Sequence, residues 1–464
     1  MIAIALVLFA TTNLPWQLDD YDQAKQAFTS FEMVQCGHWF YQHTPNWWVA
    51  TKPPLVGCVS ALVYGITRSW ELAWRLPSFL AAVGLLFLVM RAASIYGPVA
   101  ALIAACAFCF NLFSPRLGSL VRTDMPLALV LFAIGWLIWK KIRERVEWTS
   151  RERVILFLLL SAGMLIKGPI VYALLLPGLI FFEWRARRNG RASHAWSGWL
   201  PWLLSFLVFL IWVAGGILFV PEFTEHVVLR EFAGRFSDEV HRAQPFYYYL
   251  PHLLHRFAPW SLLLIGLFVI KRATRLSPET FWLIAWSMGG LVVMSLVPSK
   301  RIDRIFPIVP PLCLLLGAMV GQARSSERGR KIVDRLCLIA VLLGVAGVGI
   351  YSAQKIVSAR REHQDAFARF GRGALQQIAT HQWRYGVVGG DDEGLLLYAR
   401  RTEFLEPEQA IADWNAGRLD ALIVPDDELD GILPHLHGRE PRQYLASEQA
   451  GRYRRRYVLL AAAR

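Results

Sequence analysis

Apolar runs recur from the first residues to about residue 352, each closed by a short polar segment. They lie near 1–18, 76–93, 97–114, 125–139, 154–167, 169–184, 199–220, 257–270, 280–297, 305–320 and 333–352. Each predicts a helix, and together they predict about eleven crossings of a ~30 Å hydrocarbon layer. Beyond residue 353 the pattern changes. Strand-like runs at 385–388, 421–424 and 457–460 alternate with helix-like ones, such as 407–415 following Glu406. That alternation predicts a small α/β domain of about 100 residues. The expected organisation is an all-α polytopic membrane domain over 1–352 and a soluble α/β domain over 353–464.

Two further segments fit the surface of a membrane better than its interior. Residues 53–67 are apolar but reach only about 22 Å as a helix. Residues 21–35 place Ala24, Ala27, Phe28 and Phe31 on one helical face. Both are expected to lie in the interface. The loops then give the orientation. Lys140, Lys141, Arg143, Arg145, Arg151 and Arg153 crowd one loop, and Arg185, Arg187, Arg188 and Arg191 a second. Lys271, Arg272 and Arg275 form a third, and Arg324, Arg328, Arg330 and Lys331 a fourth. By the positive-inside rule these loops are cytoplasmic. The N-terminus is then inside, and residues 19–75, 221–256 and everything after about 353 are outside. No basic residue precedes the first run, and no convincing small-x-small site precedes Asp19. A cleaved leader and a start a few residues upstream are both left open.

Composition narrows the class. The chain is 55% hydrophobic, 18% charged and carries 19 Trp, more apolar surface than a soluble globule can hide. The net charge of +14 sits in short loops between apolar runs, so it implies no nucleic-acid partner. Cys106, Cys109, Cys313 and Cys337 lie inside apolar runs and read as small core residues. Cys106-x-x-Cys109 has no His or Asp neighbours, which argues against a metal there. Cys36 and Cys58 are left as free thiols or a disulfide outside the cell.

The polar residues of the outer face carry the candidate chemistry. Asp19, Asp20 and Asp22 follow the first apolar run, and Lys52 stands in the stiff turn Lys52-Pro53-Pro54-Leu55. Solvated helix ends and a snorkelling lysine are the plain alternatives. Asp124 follows Arg122 at the entrance to an apolar run, where ionisable groups are costly and usually functional. An Arg122–Asp124 pair holding a loop is its structural alternative. Lys167-Gly168-Pro169 reads as a structural turn. Residues 225–260 mix cations with aromatics, Tyr247 among them, and would suit a head group and a sugar ring or an aromatic belt equally well. Lys300, Arg301 and Arg304 make the one strongly basic short loop on the outside, which an anionic ligand would explain. Gly389-Gly390-Asp391 is too weak a signal for a phosphate loop.

In order and spacing these residues resemble the GT-C membrane glycosyltransferases, and within them the bacterial aminoarabinose transferase and protein mannosyltransferase-like family. The resemblance runs from Leu18 to about Leu314. It rests on Leu18-Asp-Asp-Tyr-Asp-Gln-Ala, Lys52-Pro-Pro-Leu, Arg75-Leu-Pro-Ser, Arg122-Thr-Asp-Met, Lys167-Gly-Pro, Glu225-His…Arg235-Phe, Pro245-Phe-Tyr-Tyr-Tyr with Pro259-Trp, and Lys300-Arg…Arg304-Ile-Phe-Pro. It implies a GT-C-like fold with outer juxtamembrane helices, in the bacterial inner membrane with a periplasmic C-terminal domain. It also implies inverting transfer of a sugar from a polyprenyl-phosphate carrier to a lipid A-type glycolipid or a protein, among membrane lipids. Asp19 matches the catalytic aspartate and Asp124 the second-loop carboxylate. Lys52, Lys300, Arg301 and Arg304 match positions for the carrier phosphate. Asp20, Arg122, His241 and Tyr247 are the further substrate-binding candidates. Two departures matter. Asp20 and Asp22 stand where the family often has Glu and Arg, and Thr51 stands where it often has Glu before the lysine. Some members are thought to hold a metal through that Glu and a His. His241 matches the His, but with Thr51 in place of the Glu no metal is assigned and a divalent ion stays open. A transporter or flippase-like protein handling lipid-linked sugars is the alternative, although no ionisable residues at mid-membrane depth and no repeated halves support it.

Overall fold

The computed structural model describes residues 2–18, 21–45, 48–190, 192–232, 243–270, 277–324, 327–390, 392–449 and 455–463. A helix lies in each of the eleven apolar runs read from the sequence, although the first ends at Thr11 and that of run 97–114 at Cys109. Six helices among the described residues are long and apolar enough to cross a membrane: Trp70–Tyr96, Asp124–Glu144, Leu200–Phe219, Pro278–Leu296, Ile302–Ala323 and Gly329–Arg361. A seventh span is obtained if Phe246–Arg256 and Trp260–Val269, bent by 98°, count as one. The helices Ile2–Thr11, Leu55–Thr67 and Pro98–Cys109 are apolar but shorter.

The chain divides into two compact units. The first holds residues 1–12, 51–56 and 75–352. Its centre is the helix Val309–Ala323, whose first twelve residues are all buried and which packs on Pro98–Cys109. Pairing of the helices Ile170–Arg188 and Pro278–Leu296 shows how packing works without a hydrophobic drive between helices. A Cβ on Gly289 would fall 2.5 Å from the Gly178 nitrogen, and one on Gly178 2.6 Å from the Ala285 oxygen. Small residues let the two backbones touch there.

Loops at one end of these helices are tied together. Helix Ser150–Lys167 begins at a Thr149 capping box closed by Glu152, and Glu152 also pairs with Lys141 at 2.5 Å. Trp148 Nε1 donates to the His194 carbonyl at 3.0 Å, and His194 Nδ1 lies 2.9 Å from the Glu147 carboxylate. The first two basic loops therefore share one end of the helices. Asp124, which starts Asp124–Glu144, and Lys167, which ends Ser150–Lys167, share the other.

The second unit holds residues 13–50, 57–74 and 353–464. Its sheet comprises β1 (Tyr385–Val387), β2 (Ala421–Pro425), β3 (Pro441–Ala446) and β4 (Tyr457–Ala462). The order is β1-β2-β4-β3, with β1 and β2 parallel and the other pairs antiparallel. Every residue of β2 and β4 is buried, which is why both read as continuous apolar runs. The edge strand β3 is largely exposed, and its register shifts between Gln443 and Leu445. Lacking any apolar alternation, it gave no strand signal. Helix Pro407–Asn415 starts after Glu406, where the sequence places it. In helix Tyr21–Cys36 the face of Ala24, Ala27, Phe28 and Phe31 is buried within this unit, against the helix Glu393–Tyr398 and the Trp70 ring. Cys36 and Cys58 are both free thiols.

A buried carboxyl makes this unit sensitive to pH. Burial pushes Glu393 up to about 7, against the opposing pull of Lys25. An unfolded chain ionises the same group near its ordinary value of about 4.3. As pH rises between the two, the unfolded state gives up its proton while the folded state keeps it. Stability therefore falls across that window and stays lower above it. Glu393→Gln is expected to stabilise the chain at about pH 8 by on the order of 3 kcal/mol, and to change little at about pH 4.5. Thermal unfolding of both proteins at the two pH values checks this.

Candidate functional site

The first unit gathers six charged side chains, and the sequence explains how each is delivered. After helix Pro98–Cys109, Asn111 turns the chain. Its Nδ2 donates to the Ala107 and Phe108 carbonyls at 2.8 Å, and its Oδ1 accepts from the Phe113 and Ser114 amides at 2.8 and 3.0 Å. Trp260 Nε1 caps the neighbouring Phe110 carbonyl at 2.7 Å. This turn presents Arg116 on the short helix Ser114–Leu117. The next segment is pinned by Ser78, from Arg75-Leu-Pro-Ser, whose hydroxyl donates to the Leu120 carbonyl at 2.7 Å and lies 3.1 Å from that of Arg122. Arg122 and Asp124 are thereby fixed at the head of their helix.

Two carboxylates anchor the cluster. Asp303 bridges two guanidinium groups, with Arg116 Nη1 2.5 Å from Oδ1 and Arg122 Nη1 2.9 Å from Oδ2. Asp124 is buried and takes the Lys167 ammonium on Oδ1 at 2.5 Å. Arg122 and Lys52 also act electrostatically on the Asp124 carboxylate. Arg116, Arg256 and Asp303 in turn lie close enough to act on Tyr351. Among the described residues, Lys52, Arg116, Arg122 and Lys167 thus cluster with Asp124 and Asp303. Such a cluster of partly buried cations suits a phosphate group, whose oxygens take charge-assisted hydrogen bonds.

Asp124, Arg122 and Lys52 were expected from the sequence, and the structure brings them together. It pairs them differently from the simplest expectation, since Arg122 binds Asp303 and Asp124 binds Lys167. Lys167, read from the sequence as part of a structural turn, is a partner of the buried carboxylate. Arg116 and Asp303 were missed. Asp303 sits inside the basic run 299–304, where its sign was the available signal. Arg116 had only the rule that an ion at a helix end beside apolar runs needs a partner.

The other predicted residues are placed elsewhere or lie outside the described part. Lys300 is buried and donates to the Gln244 carbonyl at 2.9 Å, and burial pushes its amine below the usual range. Arg304 Nη1 donates to the Ser299 carbonyl at 2.7 Å. Both bonds shape the loop around Ser299, where Ala243 bridges Ser299. The Arg301 amide donates to the Tyr249 hydroxyl at 3.3 Å, and its side chain is exposed. Tyr247 is also exposed, its ring edge-on to Phe246 at 5.5 Å. Asp19, Asp20 and His241 lie outside the described residues.

The model of the dolichyl-phosphate-mannose-protein mannosyltransferase family matches residues 51–212. An undecaprenyl phosphate-alpha-4-amino-4-deoxy-L-arabinose arabinosyl transferase of Edwardsiella ictaluri is 26% identical over 356 residues, 75% of this chain and 63% of that protein. The corresponding transferase 2 of Proteus mirabilis is 24% identical over 402 residues, 83% of this chain and 70% of that protein. The chain thus spans less than two thirds of the Edwardsiella relative's length. Among solved structures, ArnT of Cupriavidus metallidurans bound to undecaprenyl phosphate superposes with a TM-score of 0.74 at 18% identity, covering 99% of this chain and 97% of that one. The oligosaccharyltransferase AglB of Archaeoglobus fulgidus gives 0.52 at 13% identity, covering 92% and 69%. The fold is that of the GT-C membrane glycosyltransferases, and the chain is a multi-pass membrane protein. Within that class it is similar to the aminoarabinose transferases over most of its length.

Proposed function

We propose that the chain transfers a sugar, with inversion, from an undecaprenyl-type polyprenyl-phosphate carrier to a lipid A-type glycolipid. The gathering of Lys52, Arg116, Arg122 and Lys167 around Asp124 and Asp303 is the observation that carries this reading. In the reaction the bond between the sugar's anomeric carbon and the carrier phosphate oxygen breaks, and its electron pair leaves with the phosphate. The acceptor oxygen attacks from the opposite face. Cations held in place before the reaction stabilise the charge that grows on the departing phosphate, at no cost in reorganisation. Lys52, Arg116, Arg122 and Lys167 take that role, with Lys300, Arg301 and Arg304 of the 299–304 loop as further candidates for the carrier phosphate. Asp19 serves as the base or positioner of the acceptor, and Asp20, His241 and Tyr247 are the further substrate-binding candidates. If the acceptor oxygen belongs to a phosphate, it needs little base strength and Asp19 mainly positions it.

The same reading places the chain in the inner membrane with residues 1–352 as the transferase domain. Asp124 and Lys167 lie at the end of their helices opposite the basic loops 140–153 and 185–191. That arrangement supports an outward-facing site, and a periplasmic location for residues 353–464.

The test is transfer by the purified chain with a defined undecaprenyl-phosphate sugar and lipid A, read by mass spectrometry. Lys52→Met keeps the apolar stem and removes the charge. Donor binding is expected to weaken by about 1–3 kcal/mol, the worth of a charge-assisted hydrogen bond. No transfer to any lipid acceptor by the wild-type chain overturns the reading. Unchanged donor affinity in the Lys52 variant removes that residue from the phosphate site.

A further inference from the structure

We propose that Glu32, His38 and His43 form a binding site for a divalent transition-metal ion, with zinc as the best match. All three belong to the second unit and are not the Thr51 and His241 positions discussed above. Glu32 stands in the last turns of helix Tyr21–Cys36. Gly37, at φ +77°, ends that helix in a conformation other residues rarely adopt. The chain then doubles back and returns His38 and His43 to the same carboxylate.

The donor atoms converge. His38 Nδ1 is 2.9 Å and His43 Nδ1 3.3 Å from one oxygen of Glu32, and the three ligand atoms all lie within 4.8 Å of one another. Zinc bonds to imidazole nitrogen and carboxylate oxygen are about 2.0–2.2 Å, so the edges of a tetrahedral site are roughly 3.3–3.5 Å. The His43 edge, at 3.3 Å, already has that length, and the His38 edge, at 2.9 Å, would lengthen by about 0.4 Å on binding. The other Glu32 oxygen accepts the His43 backbone N–H, which fixes the carboxylate's orientation as an outer partner does in known metal sites. The loop itself is held. Gln42 Nε2 donates to the His38 carbonyl at 3.0 Å, the Ala50 amide to the Gln42 carbonyl at 2.8 Å, and the Thr44 amide to the Trp48 carbonyl at 2.7 Å.

Exposure completes the case. The Glu32 side chain is 4% exposed, whereas His43 is 24% and His38 46% exposed. The ion would therefore enter from the His38 side, and water would fill a fourth position there. Two neutral imidazoles and one carboxylate form a borderline donor set that suits zinc, and not the oxygen-rich shells of magnesium or calcium. The competing reading is a carboxylate that merely hydrogen-bonds two imidazoles.

The experiment uses the full chain in detergent, purified without a polyhistidine tag, stripped by chelator and titrated with zinc against a chromophoric competitor. The wild-type chain is expected to bind about one zinc in the tetrahedral site and to melt at a higher temperature with zinc than without it. His38→Gln alters an exposed residue and leaves the Glu32–His43 contacts in place. It is expected to weaken zinc binding by more than the roughly 10–100-fold lost with an outer-shell partner. The metal-free melting temperature should stay unchanged. His38→Gln/His43→Gln is expected to lose the site entirely. A wild-type chain that binds no zinc in competition overturns the proposal. So do variants that hold zinc as tightly as the wild type.

Discussion

Replacing Lys167 by Met is expected to destabilise the membrane domain by about 3–5 kcal/mol, the cost of leaving a buried charge without its partner. Lys167 and Asp124 are both largely buried, at 9% and 8% side-chain exposure, and they pair at 2.5 Å. Methionine keeps the length and apolar stem of lysine, so packing changes little. What remains is a carboxylate at the head of the helix Asp124–Glu144 with its nearest cation removed. Arg122, committed to Asp303, and Lys52 offset only part of that loss. Asp124→Asn on its own should also destabilise, because it strands the lysine. The double variant Asp124→Asn/Lys167→Met removes both charges and should recover much of the stability lost by either single change, since paired residues are not additive. Its transfer activity should stay low if Asp124 and Lys167 also serve the substrates. Thermal unfolding in detergent reads the first effect, and transfer at matched folded protein reads the second. A Lys167→Met protein that melts like the wild type, or a double variant no more stable than the worse single one, sinks this account of the pair. A double variant with full transfer activity would confine the pair to a structural role.

Why some of this was legible and some not follows from the physics of a membrane chain. Long apolar runs announce helices because a lipid-exposed backbone must satisfy its own hydrogen bonds. The strands β2 and β4 were equally plain, because burial on both faces leaves only apolar residues. Asp124 and Lys52 stood out as charges beside apolar sequence. Their partners did not. Lys167, 43 residues away from Asp124, and Asp303, 187 residues from Arg116, meet them only through helix packing, which leaves no mark on local sequence. Lys300 has a contact that local sequence could not show, its ammonium reaching the Gln244 carbonyl. Glu32, His38 and His43 were likewise invisible. Spacings of 6 and 11 residues carry no motif, and only the turn at Gly37 brings the rings together.

Asp19→Asn is expected to abolish or nearly abolish transfer while the protein stays folded. The expectation rests on the resemblance of Leu18-Asp-Asp-Tyr-Asp-Gln-Ala to the family's first outer loop. Leu18, just before it, is 2% exposed, and helix Tyr21–Cys36 begins two residues after it. Asparagine is nearly isosteric with aspartate and keeps a hydrogen-bonding oxygen. It loses the negative charge and the ability to accept a proton. General base catalysis is typically worth about 10²–10⁴-fold, so the loss should appear in kcat and not in yield or melting temperature. Asp20→Asn should be milder, because the family pattern puts the first carboxylate of the pair in the site. Purified protein with a defined lipid-linked donor gives the measurement. If Asp19 only positions a phosphate acceptor, the same substitution should raise the acceptor KM more than it lowers kcat, and raising the pH should not restore the rate. Near wild-type turnover in Asp19→Asn refutes the assignment. Loss confined to Asp20→Asn moves the role by one residue and keeps the mechanism.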